Sequence, residues 1–301
     1  MPQFPADMPE DLSADLLGAF EAHPDLATVC GVPEKAVPQA GLTNRVYRLE
    51  AERGVFFLRL PTAGNEGLVD RQAEACNLAL AAGLGLALPP LYVHPGDGIL
   101  LTAALEVAER VPADLPARLG AALGRLHSSG ALFAGRLDPV EVYGTQREFL
   151  TSEVELLPEV AALDRAMQAL EDRAGRGEDV RLVPVHGDLS PGNCLWAEDR
   201  LWLIDWEYSA LADPAWDLAY AILEHEFSQA QETAFLHAYR TGQAAGVVPG
   251  ETRIEAMKVR CDAVSALWAL EQVARGRDAG TFLPFARNRR ERALARLREL
   301  A

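Results

Sequence analysis

The sequence of 301 residues contains only four cysteines, and their positions form no recognisable metal-binding pattern. Cys30, Cys76, Cys194 and Cys261 lie far apart, with no CxxC pair among them and no histidine cluster at the spacing of a zinc finger. We therefore expect free thiols, buried or incidental, in a reducing compartment. Because Cys194 leads into an apolar strand, we expect its thiol to face the core rather than to act in catalysis.

The sequence also has no long apolar run and no excess of positive charge. It contains no stretch of about 18 uncharged apolar residues, so we expect no membrane-spanning helix. Residues 1–17, MPQFPADMPEDLSADLL, lack the basic and apolar regions of a signal peptide, so we expect a cytoplasmic protein. There are 28 Lys and Arg against 44 Asp and Glu, and the formal net charge is -16. This balance argues against nucleic acid and anionic membranes and favours cationic or neutral partners.

The length and the residue pattern predict an α+β protein with two lobes. At about 150 residues per domain, the chain is long enough for an N-terminal lobe of residues 1–104 and a C-terminal lobe of residues 105–301. Alternating apolar residues and turn signals over 36–60 predict three antiparallel strands, and the segments LYVHP and GILLTAAL predict two more. Helices are expected over 11–29 and about 70–82, and almost throughout the chain after residue 115.

The segment from residue 185 to residue 220 contains the side chains best suited to chemistry. The loop HGDLSPGN contains Asp188 and Asn193, and an apolar hairpin then leads directly to Asp205. Phosphoryl transfer needs a group that orients and deprotonates the acceptor hydroxyl, as well as ligands for the metal bound to the phosphates. Asp188 suits the first role, and Asn193 and Asp205 suit the second, because Mg²⁺ prefers oxygen ligands. Each residue alone is an ordinary turn former, but their combination favours a catalytic segment.

These motifs carry a family resemblance. HGDLSPGN, followed by LIDWEYSALADPAWDLA, resembles the catalytic and metal-binding segments of the aminoglycoside phosphotransferase and choline kinase superfamily, and IDWEY resembles the bacterial choline kinase branch. The resemblance implies a bilobal protein-kinase-like fold, with a five-stranded antiparallel sheet plus a helix in the small lobe and a larger, mainly helical lobe. It further implies Asp188 as the catalytic base, and Asn193 and Asp205 as ligands of Mg²⁺.

The resemblance extends to the predicted nucleotide-binding lobe. The turn GLTNR contains Thr43 and Asn44 and is similar to the choline kinase loop that covers the phosphates, although its composition also fits a plain hairpin turn. Arg59 is a lone charge in an apolar strand, where the family holds a basic residue against the nucleotide phosphates; an edge arginine reaching solvent is the alternative. Glu74 is the expected partner of Arg59, unless it is a solvated helical carboxylate.

The acceptor site is the least specific part of the resemblance. SALWALEQVARG resembles the choline kinase helix that lines this site, with Trp268 present but Glu271 in the position of a second aromatic residue. Trp268 also fits an ordinary core position. With Glu207 and Tyr208, these residues would form a site for a cation, since a cation–π contact contributes roughly 0.5–2 kcal/mol.

We therefore predict an ATP- and Mg²⁺-dependent phosphotransferase that acts on a small amino alcohol, choline or ethanolamine. The alternatives are a thiamine or aminoglycoside kinase of the same fold, or a nucleotide-binding regulatory pseudokinase. His127 and His186 are expected to be structural hydrogen-bonding residues rather than proton carriers. The expected partner is a cationic alcohol, with neither nucleic acid nor membrane insertion, and the protein is expected to be a monomer or a homodimer.

Overall fold

The structure, a computed structural model, describes residues 14–39, 44–60, 69–153, 157–174, 180–243 and 248–300. The chain forms two compact units. The first comprises Met1–Pro112 and Cys194–Tyr208, and the second comprises Ala113–Asn193 and Ser209–Ala301. Within the described ranges, no helix is both long enough and apolar enough to cross a membrane.

The first unit is built on one antiparallel sheet of five strands. Its strands follow the order β1-β2-β3-β5-β4, and their bounds are β1 Pro33–Gln39, β2 Arg45–Ala51, β3 Gly54–Leu60, β4 Tyr92–His94 and β5 Ile99–Ala103. The tight turn between β2 and β3 uses Gly54 at a φ of 136°, a conformation that residues with a Cβ rarely adopt. Leu49, Leu58 and Leu101 are fully buried in the core beneath the sheet. The predicted five-stranded antiparallel sheet is confirmed.

The first unit also contains two short helices and one longer helix. The predicted helix over 11–29 is in fact two helices, α1 (Ala14–Ala22) and α2 (Asp25–Cys30), with Pro24 preceding α2. Proline disfavours helical backbone at the residue before it, so the first helix ends ahead of His23. The helix predicted over about 70–82 is α3 (Arg71–Gly83). Asp70 caps α3 by accepting hydrogen bonds from the amides of residues 72 and 73.

The second unit is mainly helical, as predicted. The helices are α4 Leu115–Ser128, α5 Pro139–Phe149, α6 Leu157–Ala174, α7 Ala215–Glu224, α8 Gln229–Gly242, α9 Glu251–Ala274 and α10 Ala279–Glu299. A small sheet that the sequence did not reveal joins β6 (Arg136–Leu137), β7 (Val183–Val185) and β10 (Ala210–Ala212), with β10 in the centre. Its strands have two or three residues each, too few for a periodic pattern.

Helices α4 and α8 pack unusually closely because α4 has glycine at the contact. A Cβ atom at Gly120 would overlap the carbonyl oxygen of Phe235, and one at Gly124 would lie 2.6 Å from the carbonyl oxygen of Tyr239. On α8, a Cβ atom at Gly242 would lie 2.9 Å from the carbonyl oxygen of Ala121. The two backbones therefore touch where side chains would otherwise separate them.

The hairpin predicted after the HGDLSPGN loop is formed by β8 (Cys194–Ala197) and β9 (Arg200–Leu203), and it belongs to the first unit. The amide of Ala108 donates to the carbonyl of Trp196 at 2.8 Å, and the amide of Leu203 donates to the carbonyl of Leu86 at 2.8 Å. Asp205 comes two residues after the end of β9 and lies in the same unit as Arg59 and Glu74.

Candidate active site

The loop containing Asp188 is held by a buried carboxylate on α7. Asp217 is fully buried, and its two oxygens accept hydrogen bonds from the amide of His186 at 2.8 Å and from the amide of Gly187 at 3.0 Å. Gly187 has a φ of 90°, which glycine adopts without strain, and its carbonyl accepts a hydrogen bond from the indole nitrogen of Trp216 at 3.0 Å. Two residues of α7 therefore fix the backbone immediately before Asp188.

Asp217 also makes a buried hydrogen bond to a histidine on α4. His127 Nε2 lies 3.2 Å from Asp217 Oδ2, and His127 Nδ1 lies 2.9 Å from the Tyr239 hydroxyl. Burial alone would raise the pKa of Asp217, but His127, His186 and the amide of Gly187 hold it below its ordinary value. His127 is therefore a core hydrogen-bonding residue, which confirms the prediction for it.

Asp188 and Asn193 are in direct contact within the loop. The Asn193 amide nitrogen donates to the Asp188 carbonyl at 3.0 Å and to Asp188 Oδ2 at 2.9 Å. The Asp188 amide donates to His186 Nδ1 at 3.2 Å, so His186 braces the loop as predicted. Since the amide nitrogen of Asn193 contacts Asp188, the oxygen of the same group is the atom that could bind a cation.

Tyr220 is a further contact of Asp188 that the sequence analysis missed. Its hydroxyl is hydrogen-bonded to the Asp188 carboxylate, and burial, followed by the charge of Asp188, raises the pKa of Tyr220 well above its ordinary value. The hydroxyl therefore stays protonated and acts as a donor to the carboxylate. Tyr220 lies three residues after Asp217, so both reach the loop from one side of α7.

In the first unit, Arg59 and Glu74 form a buried, bidentate ion pair, which confirms the predicted pairing. Arg59 Nη1 lies 2.5 Å from Glu74 Oε1, and Nη2 lies 2.8 Å from Oε2. Burial would raise the pKa of Glu74, but the hydrogen bonds and charges of Arg59 and Arg71 hold it below its ordinary value. Arg59 Nη2 also donates to the carbonyl of Gly98 at 3.3 Å. The strand arginine is thus held in one orientation rather than reaching solvent at a sheet edge.

Asp205 lies next to this pair. Its Oδ1 is 3.8 Å from Arg59 Nη1, and a third of its side chain is exposed. Its backbone has a φ of 62°, in the left-handed region that aspartate tolerates better than most residues with a Cβ. Such a conformation at the end of a strand is typical of a side chain that is aimed at a functional site. Asp205 and Asn193 both offer the oxygen ligands that Mg²⁺ takes, so the donor chemistry fits this ion.

Arg71 connects two residues that the sequence analysis assigned to different ligands. Its Nη2 donates to Asn44 Oδ1 at 3.0 Å, and its Nη1 donates to Glu207 Oε2 at 3.0 Å and to Glu74 Oε2 at 2.8 Å. Asn44 in turn donates to Glu207 Oε2 at 2.9 Å. Arg71 and Glu74 are three residues apart on α3, a spacing that could have revealed this pair. Thr43, the other predicted residue of this loop, lies outside the described residues.

The residues predicted to bind the acceptor substrate differ in their contacts and in their exposure. On α9, Trp268 makes edge-to-face contacts with Phe282 and Phe285 of α10, at centroid distances of 5.6 and 6.3 Å. Glu271 is mostly buried and accepts hydrogen bonds from Arg275 at 2.6 and 2.9 Å, so its charge is already paired. In the first unit, Glu207 is bound to Arg71 and Asn44, whereas Tyr208 is 37% exposed.

The region that matches a known protein family includes Arg59, Asp188, Asn193 and Asp205 but ends before Trp268 and Glu271. The model of the phosphotransferase enzyme family matches residues 36–256. Protein LicA from Haemophilus influenzae is 28% identical over 268 residues, which cover 86% of this chain and 79% of that protein.

Solved structures of known proteins are also similar to this chain. A choline/ethanolamine kinase family protein from Mesorhizobium loti is 27% identical, with a TM-score of 0.70 over 93% of this chain and 94% of that one. LicA in complex with AMP is 26% identical, with a TM-score of 0.72 over 89% and 93% of the two chains. These similarities confirm the predicted α+β, protein-kinase-like fold.

Proposed function

The chain belongs to the phosphotransferase enzyme family, and from this premise we propose that it transfers the γ-phosphoryl group of ATP to the hydroxyl of choline or ethanolamine in a Mg²⁺-dependent reaction. The observation that carries the proposal is the contact between Asp188 and Asn193 in a loop held by Asp217. It combines a positioned carboxylate with an amide oxygen suited to a cation, the two functions that phosphoryl transfer requires.

Asp188 is the base in this proposal. Asn193 and Tyr220 both donate hydrogen bonds to its carboxylate, which fixes its orientation. An ionised, oriented carboxylate can accept a hydrogen bond from the acceptor hydroxyl and take its proton as the phosphoryl group is transferred. Asp217 touches no reacting atom in this scheme; it positions the loop.

The nucleotide phosphates are assigned to the first unit. Arg59 carries a planar cationic group that suits phosphate oxygens, and Glu74 keeps it in place. Arg71 extends the same cluster towards Asn44. The similarity to LicA with bound AMP supports nucleotide binding by this fold. Asn193 and Asp205 would hold Mg²⁺, which when bound neutralises charge on the phosphates.

The acceptor is proposed to be a small cationic alcohol. The net charge of -16 favours cations at long range, and one similar protein is named a choline/ethanolamine kinase family protein. Trp268 supplies the aromatic face that a quaternary ammonium prefers. Because the charge of Glu271 is paired with Arg275, the aromatic ring is the stronger candidate for contact with the acceptor.

The test is an ADP-release assay with ATP and Mg²⁺ on the purified protein. Choline, ethanolamine, thiamine and an aminoglycoside are compared with water as the acceptor. Asp188→Asn is assayed beside Asp199→Asn, a matched change at an exposed turn residue. We expect saturable transfer to choline or ethanolamine that Asp188→Asn lowers by about 10²- to 10⁴-fold and Asp199→Asn retains.

Other outcomes identify the alternatives. Transfer only to thiamine or to the aminoglycoside would refute the proposed acceptor but keep the reaction. Nucleotide binding without transfer to any acceptor would favour a regulatory pseudokinase instead.

A further inference from the structure

In the first unit, a histidine between α1 and α2 lies close to two residues at the β4–β5 turn that are far from it in sequence. His23 lies between α1 and α2, His94 ends β4, and Asp97 lies in the turn that leads to β5. No two of their potential ligand atoms are more than 4.8 Å apart. The phosphoryl-transfer reaction proposed above uses none of them. Because His23 is far from the other two in sequence, and the third residue is an aspartate, a search for zinc-finger spacing does not find them.

The distances match those of a metal site that has two nitrogen ligands and one oxygen ligand. His23 Nε2 lies 2.8 Å from Asp97 Oδ2, and His94 Nδ1 lies 3.3 Å from the same oxygen. Ligand atoms about 2.0–2.2 Å from a zinc ion at tetrahedral angles are about 3.4 Å from one another. Small side-chain rotations would therefore bring all three atoms to bonding distance of one ion.

His23 Nε2 and Asp97 Oδ2 contact each other, and a metal ion would take the place of that contact. Tyr92 contacts the other ring nitrogen of His23, with its hydroxyl 3.0 Å from Nδ1. A hydroxyl can donate or accept, so it can accept a hydrogen bond from Nδ1 when Nε2 of His23 carries no proton and binds a metal. His94 Nδ1 is buried although about half of its side chain is exposed, and it has no hydrogen-bond partner among the residues that the structure describes.

We propose that His23, His94 and Asp97 bind one divalent transition-metal ion of the Zn²⁺ type, with water completing the coordination. Imidazole nitrogen favours Zn²⁺, Co²⁺ or Ni²⁺ over Mg²⁺, which takes oxygen ligands, so this site is chemically distinct from the pair Asn193 and Asp205. Asp97 is about half exposed, which leaves room for water and a path for the ion. On binding, the metal would take the place of the hydrogen between His23 Nε2 and Asp97 Oδ2, and neutral His23 would then carry its one ring proton on Nδ1, next to the Tyr92 hydroxyl.

Such a site would join the α1–α2 junction to the β4–β5 turn. The next residue in this turn, Gly98, offers the carbonyl that accepts a hydrogen bond from Arg59. A bound metal would therefore stabilise the turn that supports the candidate phosphate-binding arginine.

The test is a titration of the full chain with Co²⁺, which replaces Zn²⁺ and shows visible absorption bands in a tetrahedral or five-coordinate site. Excess Mg²⁺ is present to occupy oxygen sites, and the background change Cys76→Ser removes the exposed thiol. His94→Ala and Asp97→Ala are compared with His237→Ala, which removes an exposed histidine from α8. Tyr92→Phe tests the outer contact.

We expect one equivalent of Co²⁺ to bind and Zn²⁺ to displace it. Both ligand variants should lose the visible bands, and His237→Ala should keep them. Tyr92→Phe should weaken binding by about 10- to 100-fold, as loss of an outer hydrogen-bond partner typically does. Binding that is absent, or that His94→Ala and Asp97→Ala leave unchanged, would overturn the proposal and leave His23 and Asp97 as a simple hydrogen-bonded pair.

Discussion

The Asp217 carboxylate accepts a hydrogen bond from the backbone amide of His186 at 2.8 Å, although 31 residues separate the two. The same carboxylate binds the next amide, that of Gly187, and the buried ring of His127. The backbone of the loop before Asp188 is therefore set by a buried charge on a helix. Residues of the loop alone do not determine where the candidate base points.

Asp217→Asn should impair both stability and turnover. Asparagine keeps one oxygen that accepts a hydrogen bond, but its side-chain NH₂ group would face a backbone N–H of the loop. Both groups are donors, so the buried backbone N–H is left without an acceptor, at a cost of about 1–3 kcal/mol. We expect a lower free energy of unfolding in urea and a lower kcat, with little change in nucleotide KM. Asp172→Asn, at an exposed position of α6, is the control. If the two variants are equally active, Asp217 does not position the loop.

The same residue predicts a dependence of stability on pH. Because the folded-state pKa of Asp217 is lowered from its ordinary value near 3.8, its contribution is present above pH 3.8 and is lost as the pH falls through the folded-state value. The difference in unfolding free energy between the wild type and Asp217→Asn should therefore be largest near neutral pH and shrink in acid. A difference that stays constant from neutral pH to pH 3 would contradict this assignment.

Tyr220→Phe should act through Asp188 without abolishing activity. The ionised carboxylate would lose one hydrogen-bond donor but keep Asn193, so we expect a moderate fall in kcat/KM. Because the lost contact is to the proposed base, the fall should appear in kcat rather than in the KM for nucleotide. Asp188→Asn, by contrast, should lower kcat by about 10²- to 10⁴-fold. A higher KM for nucleotide with an unchanged kcat would show that Tyr220 does not act through Asp188.

Arg71→Ala should raise the KM for nucleotide more than the KM for the acceptor. The change removes hydrogen bonds to Asn44, Glu74 and Glu207, and the first two belong to the proposed phosphate-binding cluster. Arg48→Ala, which removes a surface arginine paired with Glu50, is the matched control. If Arg71→Ala changes only the acceptor KM, Glu207 acts mainly in acceptor binding.

Substitutions on α9 should change the choice of acceptor. Trp268→Ala removes an aromatic face worth roughly 0.5–2 kcal/mol to a bound cation, so the KM for choline should rise by about 2- to 30-fold. Trp268→Phe, which keeps a ring, should have a smaller effect. Glu271→Phe would place an aromatic residue where the choline kinases have one, and we expect it to favour choline over ethanolamine. Steady-state assays with both acceptors would show an unchanged ratio if α9 does not contact the acceptor.

The sequence predicted those features that depend on local pattern. Period-two alternation and Gly54 located the first-unit strands, whereas the assignment of Asp188, Asn193 and Asp205 to one site stays a prediction. The break between α1 and α2 was missed, although Pro24 indicates it, because apolar residues recur at helical spacing on both sides. For Arg59, the family resemblance correctly predicted a partner 15 residues away.

Contacts across long stretches of chain were not predictable in this way. Asp217 sits near the start of a helix, where an acidic residue usually stabilises the helix end, and nothing local shows that it turns inward. Arg71 has the same ambiguity on α3. The cluster of His23, His94 and Asp97 depends on the packing of a helix junction against a hairpin. In each case, the role of the side chain depends on which distant segment of the chain packs against it.

The close contact of α4 with α8 makes the position of the candidate base depend on glycine residues that take no part in the chemistry. Tyr239, on α8, faces Gly124 through its carbonyl and His127 through its hydroxyl. A methyl group added at Gly124 would force the helices apart, lengthen the bond from Tyr239 to His127 and so loosen His127 against Asp217. Substitutions should therefore be poorly tolerated at the glycines of this contact, although glycine has no functional group. The absence of a Cβ atom lets the two helices approach, and that approach sets the alignment of the base.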